Sequence, residues 1–176
     1  MLTKADIEKY FMAEKQAGLI VLIIGLVAIV LALVFFFALR TNLFKGAAVP
    51  LLLLGLMECA IGFSIYRKSD GDRIRNVYAY DMNPDQLRNE ELPRMQKVEK
   101  HFVIYKVAEL GFAIIGIVLI FLYKAQPEKS FWVGLGLTLL IQGVLLFGME
   151  TIAAQRAKVY TQKLAEWLTA PAQTRR

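Results

Sequence analysis

Glu58, Glu109, Gln142 and Thr138 are the residues whose types could do chemistry, because each lies inside a stretch that is otherwise apolar. A carboxyl at mid-depth in a bilayer costs at least ~2.5–3.5 kcal/mol unless it is paired or neutral, so such groups mark ion pathways or the contacts that fix helix assembly. Glu58 sits near the centre of GAAVPLLLLGLMECAIGFSIY, residues 46–66. Gly55, Glu58, Cys59 and Gly62 recur there at i, i+3, i+4 and i+7, which puts the carboxyl on the face small enough to meet another helix. Glu109 repeats the pattern with Phe112, Ala113 and Gly116, while Gln142 stands in the middle of the last apolar stretch with Thr138 one turn away. Two roles suit this cluster. The carboxylates could alternate between charged and neutral forms as a proton or cation site, or the groups could form a hydrogen-bonded clasp with the acids protonated or one paired to Lys106. The clasp is the favoured role.

The elements that must position these residues are membrane spans. Apolar residues make up 57% of the 176-residue chain, above the roughly 45–50% of ordinary soluble domains. Residues 17–39 hold 23 uncharged positions, about 35 Å of helix at ~1.5 Å per residue, enough to cross a ~30 Å hydrocarbon core. A signal peptide has an apolar region of only ~7–15 residues before a small-residue cleavage site. Phe35, Phe36, Phe37 and Arg40 follow here instead, so the span is expected to be uncleaved. The six residues 40–45 force the second span, 46–66, to return antiparallel, with Pro50 read as sitting in its opening turn. A third span runs over 102–123, or from Val107 if Lys106 marks the interface, and a fourth over 131–152 after another short connection.

Between the two α-hairpins, residues 67–101 form the one long polar segment and are expected to be helical. Asp70, Gly71 and Asp72 could end the second helix, yet Ile74, Val77 and Tyr78 equally allow it to continue. Asn83 and Pro84 read as a cap and first helical position, with Pro93 opening a further helix in which Met95, Val98, Phe102 and Tyr105 make a packing stripe. Residues 1–16 read as a short amphipathic helix, in which Thr3 and Asp6 have capping-box spacing. Residues 153–176 read as an amphipathic tail carrying Val159, Tyr160, Leu164, Trp167 and Leu168, stopped by Pro171 and lying on the membrane or against the polar segment. The fold class is therefore an all-α polytopic membrane protein with four transmembrane helices. A faint repeat relates the hairpins, since Glu14-Lys15 recurs as Glu99-Lys100 and Glu58 aligns with Gln142.

Charge sets the expected orientation. With both termini and the polar segment in the cytoplasm, only Arg40, Lys45, Lys124 and Lys129 of the 21 basic residues lie outside. Tyr66, Tyr123, Trp132 and Trp167 are the expected membrane-surface residues, and a bacterial inner (plasma) membrane is the expected location. The net charge of +6 suits an anionic bilayer surface, and its interleaving with acids gives no nucleic-acid-binding motif. One Cys and one His make neither a disulfide nor an ordinary zinc site, and no phosphate-binding glycine loop occurs, so no cofactor or metal is expected. His101 has no nucleophile beside it, which argues against an enzyme. The expected function is a non-catalytic accessory, regulatory or immunity-type subunit that binds a protein partner or its own copies. The alternative is a small transporter or channel for protons or cations centred on Glu58.

The orientation is testable with single cysteines in a Cys59→Ser background. Those at Asn42 and Gln126 should react with an impermeant thiol reagent outside intact cells, and one at Asp85 should not. Labelling of Asp85 alone would invert the topology.

Overall fold

The computed structural model describes residues 1–170 and is all-helical. Four helices are long and apolar enough to cross a membrane: α1 (Lys4–Leu39), α2 (Asn42–Met82), α3 (Pro84–Tyr123) and α4 (Pro127–Thr169). Each is a single rod with an apolar part and a polar part. The N-terminal helix, the polar segment and the tail are extensions of those four rods. The stop expected at Pro171 lies outside the described residues.

Local chemistry accounts for the boundaries. Thr3 caps α1 with the expected box: its Oγ1 accepts from the Asp6 N–H at 3.2 Å, and its own N–H donates to the Asp6 carboxylate at 3.0 Å. At the far end the chain widens into a π-helical turn over Phe35–Leu39, and Arg40 takes a left-handed conformation at φ 55°. That conformation costs an L residue ~1–2 kcal/mol, partly offset by Arg40 Nε donating to the Phe37 carbonyl at 2.6 Å. Thr41 then caps α2.

Helix α2 starts at Asn42, so Pro50 lies inside it, which corrects its expected place in the opening turn. Of the two readings of Asp70-Gly71-Asp72 continuation holds, and running on to Met82 places Asn76 and Ala79 in a packed interface. Pro84 opens a helix after Asn83 as expected, although Asn83 makes no side-chain cap. Pro93 opens no separate rod: a π-helical turn at Leu87–Glu91 precedes it and one helix runs from Pro84 to Tyr123. Such a turn displaces the hydrogen-bond ladder by one residue, just where proline lacks an N–H.

Packing differs between the two ends. At the polar end Ile7, Phe11, Ala79, Leu87, Met95, Tyr160, Leu164 and Trp167 form one core contributed by all four helices. Each large apolar side chain buried from water contributes roughly 1.5–3 kcal/mol, so this end carries a hydrophobic core of the soluble kind. In the apolar part the buried positions are small. Gly18 of α1 meets Gly62 of α2 and Gly25 meets Gly55, so the two helices run antiparallel with their backbones in contact. A second seam pairs Gly116 of α3 with Gly136 of α4, and Ala113 with Gly143. The two pairs touch where Gly46 meets Phe131 and Gly134 meets Leu43, near the end remote from the core.

A Cβ on Gly25 would stand 2.7 Å from the Gly55 carbonyl oxygen, a backbone atom that cannot yield, whereas one on Gly71 would meet nothing within 4 Å. Gly25→Ala should therefore lower the thermal unfolding midpoint. Gly71→Ala should raise stability by about 0.5–1 kcal/mol, the ordinary cost of glycine inside a helix. Equal effects at the two sites would contradict the seam.

Candidate functional site

The polar residues of the apolar part are buried on three helices: Glu58 on α2, Glu109 on α3, and Thr138 and Gln142 on α4. Both Glu58 carboxylate oxygens are covered and lack a hydrogen-bond partner, as are Glu109 Oε2 and Gln142 Oε1. No hydrogen bond or ion pair among the described residues joins Glu58, Glu109 and Gln142, and Lys106 reaches neither acid within ion-pair distance. The structure thus buries the cluster without closing it into a direct clasp. Glu109 lies instead within electrostatic range of Glu150 and Lys106.

The small residues named beside these acids sit in the seams. Cys59 Sγ donates weakly to the Leu22 carbonyl at 3.8 Å, and Gly55 and Gly62 face α1. Ala113 and Gly116 face α4. Sequence reasoning missed their counterparts, Gly18 and Gly25 on α1 and Gly134, Gly136 and Gly143 on α4. The seven-residue spacing of Gly18 and Gly25, repeated by Gly55 and Gly62, was the signal. Of the aromatic residues assigned to a membrane surface, Tyr123 and Trp132 stack at 6.0 Å, and the Lys15 ammonium lies 4.9 Å from the Tyr66 ring centroid. Trp167 takes the second of the two placements expected for the tail, against the polar segment: it is 2% exposed and stacks on Tyr80 at 4.8 Å. The tail therefore packs against the extension of α2, because its apolar stripe completes the core.

Above that core lies a polar constellation assembled from all four helices. Arg94 donates twice to the buried Glu91 carboxylate, at 2.8 and 2.7 Å, and its guanidinium stands 5.6 Å from the Phe11 ring centroid. Tyr10 and Tyr160 stack beside it at 4.3 Å, nearly parallel. Burial pushes both phenols well above their ordinary range, so neither ionises at neutral pH. Glu14 is in the same neighbourhood without a hydrogen bond of its own, and burial pushes its carboxyl up to about 7, opposed by the nearby Arg94 and Arg156 and assisted by Asp72 and Glu91. Ion pairs ring the assembly: Asp6 with Lys163 at 2.6 Å, Lys4 with Asp81 at 2.7 Å, and Lys15 with Asp70. Hydrogen bonds from Lys163 and Thr3 hold the Asp6 carboxyl below its usual range. Arg88 donates to the Leu168 carbonyl at 2.9 Å, fastening the end of α4.

The arrangement binds and positions charge; no chemistry-bearing triad emerges from it. No group of three or more His, Cys, Asp or Glu residues that could hold a metal occurs among the described residues. The Glu91–Arg94 pair was legible as an i, i+3 contact on one helix. Its aromatic surroundings were not, since Phe11 and Tyr160 come from opposite ends of the chain.

Glu14 generates a pH dependence. Its folded-state pKa is raised, so the native state holds a proton that the unfolded chain releases between about pH 4.5 and 7, and its contribution to stability falls as pH rises through that window. Glu14→Gln should raise the unfolding midpoint at pH 8 relative to wild type and change it little at pH 4.5. A uniform shift at both pH values would contradict the buried-carboxyl account.

No protein-family model, curated protein or solved structure matches the chain, so its own residues carry the functional reading.

Proposed function

We propose that this chain is a non-catalytic integral membrane protein that acts as an interaction, accessory, regulatory or immunity-type subunit. Its four apolar helix segments cross the membrane as two hairpins, in keeping with the inner (plasma) membrane of a bacterium. The polar ends form a helical domain in the cytoplasm together with both termini. Supporting this placement, large apolar side chains such as Leu53, Leu56, Ile114, Phe121 and Val144 are exposed around the apolar part, where lipid would cover them.

The observation that carries the interaction reading is a stripe on the polar extension of α2. Ile74, Tyr78 and Met82, at i, i+4 and i+8, are 64%, 61% and 69% exposed in the part of the molecule that meets water. Large apolar residues aligned on one helix face in water suit a partner's surface. The tail contributes less to such a surface than its amphipathic pattern implies, because Leu164, Trp167 and Leu168 are used in the internal core. A photo-crosslinker at Tyr78 should capture a defined partner in native membranes. Ile74→Glu with Met82→Glu should abolish that capture without lowering the unfolding midpoint. Unchanged capture in the double variant would remove this surface from consideration.

A second reading, a proton or cation transporter centred on Glu58, is favoured by the two covered and unpartnered oxygens of that side chain. It requires pH-dependent flux in proteoliposomes that Glu58→Gln abolishes. An interaction subunit shows no such flux, and its Gln variant stays functional in the cell.

A further inference from the structure

A cavity of about 310 Å³ opens between the two helix pairs, lined chiefly by α1 and α4 with single contributions from Ile65 and Phe102. It lies where the first span begins and the fourth ends, the headgroup level in the membrane placement proposed above. Its lining combines apolar side chains, among them Ile20, Val21 and Phe102, with the charged groups of Glu14, Glu150 and Arg156.

Among the described residues none of those three charged groups has an ion-pair partner within 4.0 Å, although all three line a single cavity. Glu150 Oε2 is covered and has no hydrogen-bond partner, and Lys106 lies within its electrostatic range without reaching it. Unpaired charge beside a low-dielectric wall is costly, and a ligand carrying the complementary charges removes that cost. Two carboxylates and one guanidinium are complementary to a zwitterion with one ammonium and one phosphate. The ammonium must have N–H donors, because a carboxylate oxygen needs a hydrogen bond and not merely a nearby positive charge. The guanidinium suits phosphate through its paired donors. The apolar wall accepts an acyl chain. The cavity is only partly enclosed, and by the placement proposed lipid reaches its opening.

We propose that this cavity binds one phospholipid with a primary-amine headgroup, the ammonium between Glu14 and Glu150, the phosphate on Arg156 and an acyl chain along Ile20, Val21 and Phe102. The inference rests on the membrane placement above and is independent of which partner the cytoplasmic surface takes.

The test uses the purified full-length protein in non-ionic detergent, titrated with phosphatidylethanolamine, its N-methyl and N,N-dimethyl forms, phosphatidylcholine and phosphatidylglycerol of identical chains. Binding is read as the rise in unfolding midpoint and by native mass spectrometry. Affinity should fall stepwise as N–H donors are replaced, with at least a tenfold preference for phosphatidylethanolamine over phosphatidylcholine. Glu150→Gln with Glu14→Gln should reduce that preference to less than twofold, and Arg156→Gln should weaken all the amine lipids alike. Equal binding of all five lipids, or preference for phosphatidylglycerol, overturns the amine site and leaves the membrane placement standing. No binding of any lipid overturns both. The wild-type series alone decides the matter if a variant fails to fold.

Discussion

Helix continuity is the constraint on which the rest depends. Each of the four rods passes without a break from a part that buries large side chains into a part that buries glycine and alanine. In water, association is driven by removing apolar area, and Phe11, Met95, Leu164 and Trp167 supply it. In lipid that driving force between helices is absent, and close backbone packing takes its place. Because the rods are continuous, the side chains that fill the polar core also set the rotation at which Gly25 meets Gly55 and Gly116 meets Gly136. A change of packing at one end is therefore carried along the rods to the other.

The two ends also treat polar groups in opposite ways. At the polar end the buried carboxylate of Glu91 receives two donors from Arg94, and the helices are fastened to one another by Asp6–Lys163, Lys4–Asp81 and Lys15–Asp70. In the apolar part Glu58, Glu109 and Gln142 each keep a covered oxygen without a partner. A buried acid left in that condition is stable as the neutral form, or as the charged form only with a cation or donor brought to it. The seams beside them are built from close backbone contacts between small residues.

The faint repeat in the sequence has a spatial counterpart. Glu58 and Gln142 are each buried in the second helix of a pair, and each pair has its own glycine seam. The pairs separate on the side of α1 and α4, leaving the cavity, and rejoin at Gly46 with Phe131. What distinguishes the two halves is at the polar end, where α1 supplies the aromatic residues Tyr10 and Phe11 and α3 supplies the Glu91–Arg94 pair that they cover.

By itself the sequence determined the number of long apolar helices, the connections that separate them, the Thr3 cap and the small-residue face around Glu58, because these depend on composition and on spacing within one helix. It also carried the stripe of Met95, Val98 and Phe102, whose 3.6-residue period needs no knowledge of a partner, but not its end: Tyr105, expected to continue the stripe, lies outside the core and is 47% exposed. Tertiary structure alone decided that Asp70-Gly71-Asp72 stays helical, since exposed glycine costs only about 1 kcal/mol against the burial of Asn76 and Ala79 further along α2. It decided that Trp167 is stacked on Tyr80 in a core rather than set at a surface, because an amphipathic stripe looks the same whether lipid or protein will cover it. It decided, too, that Glu14, Glu150 and Arg156 share one cavity. Those residues are more than a hundred positions apart in part, and no periodicity within a helix encodes which faces of different helices meet.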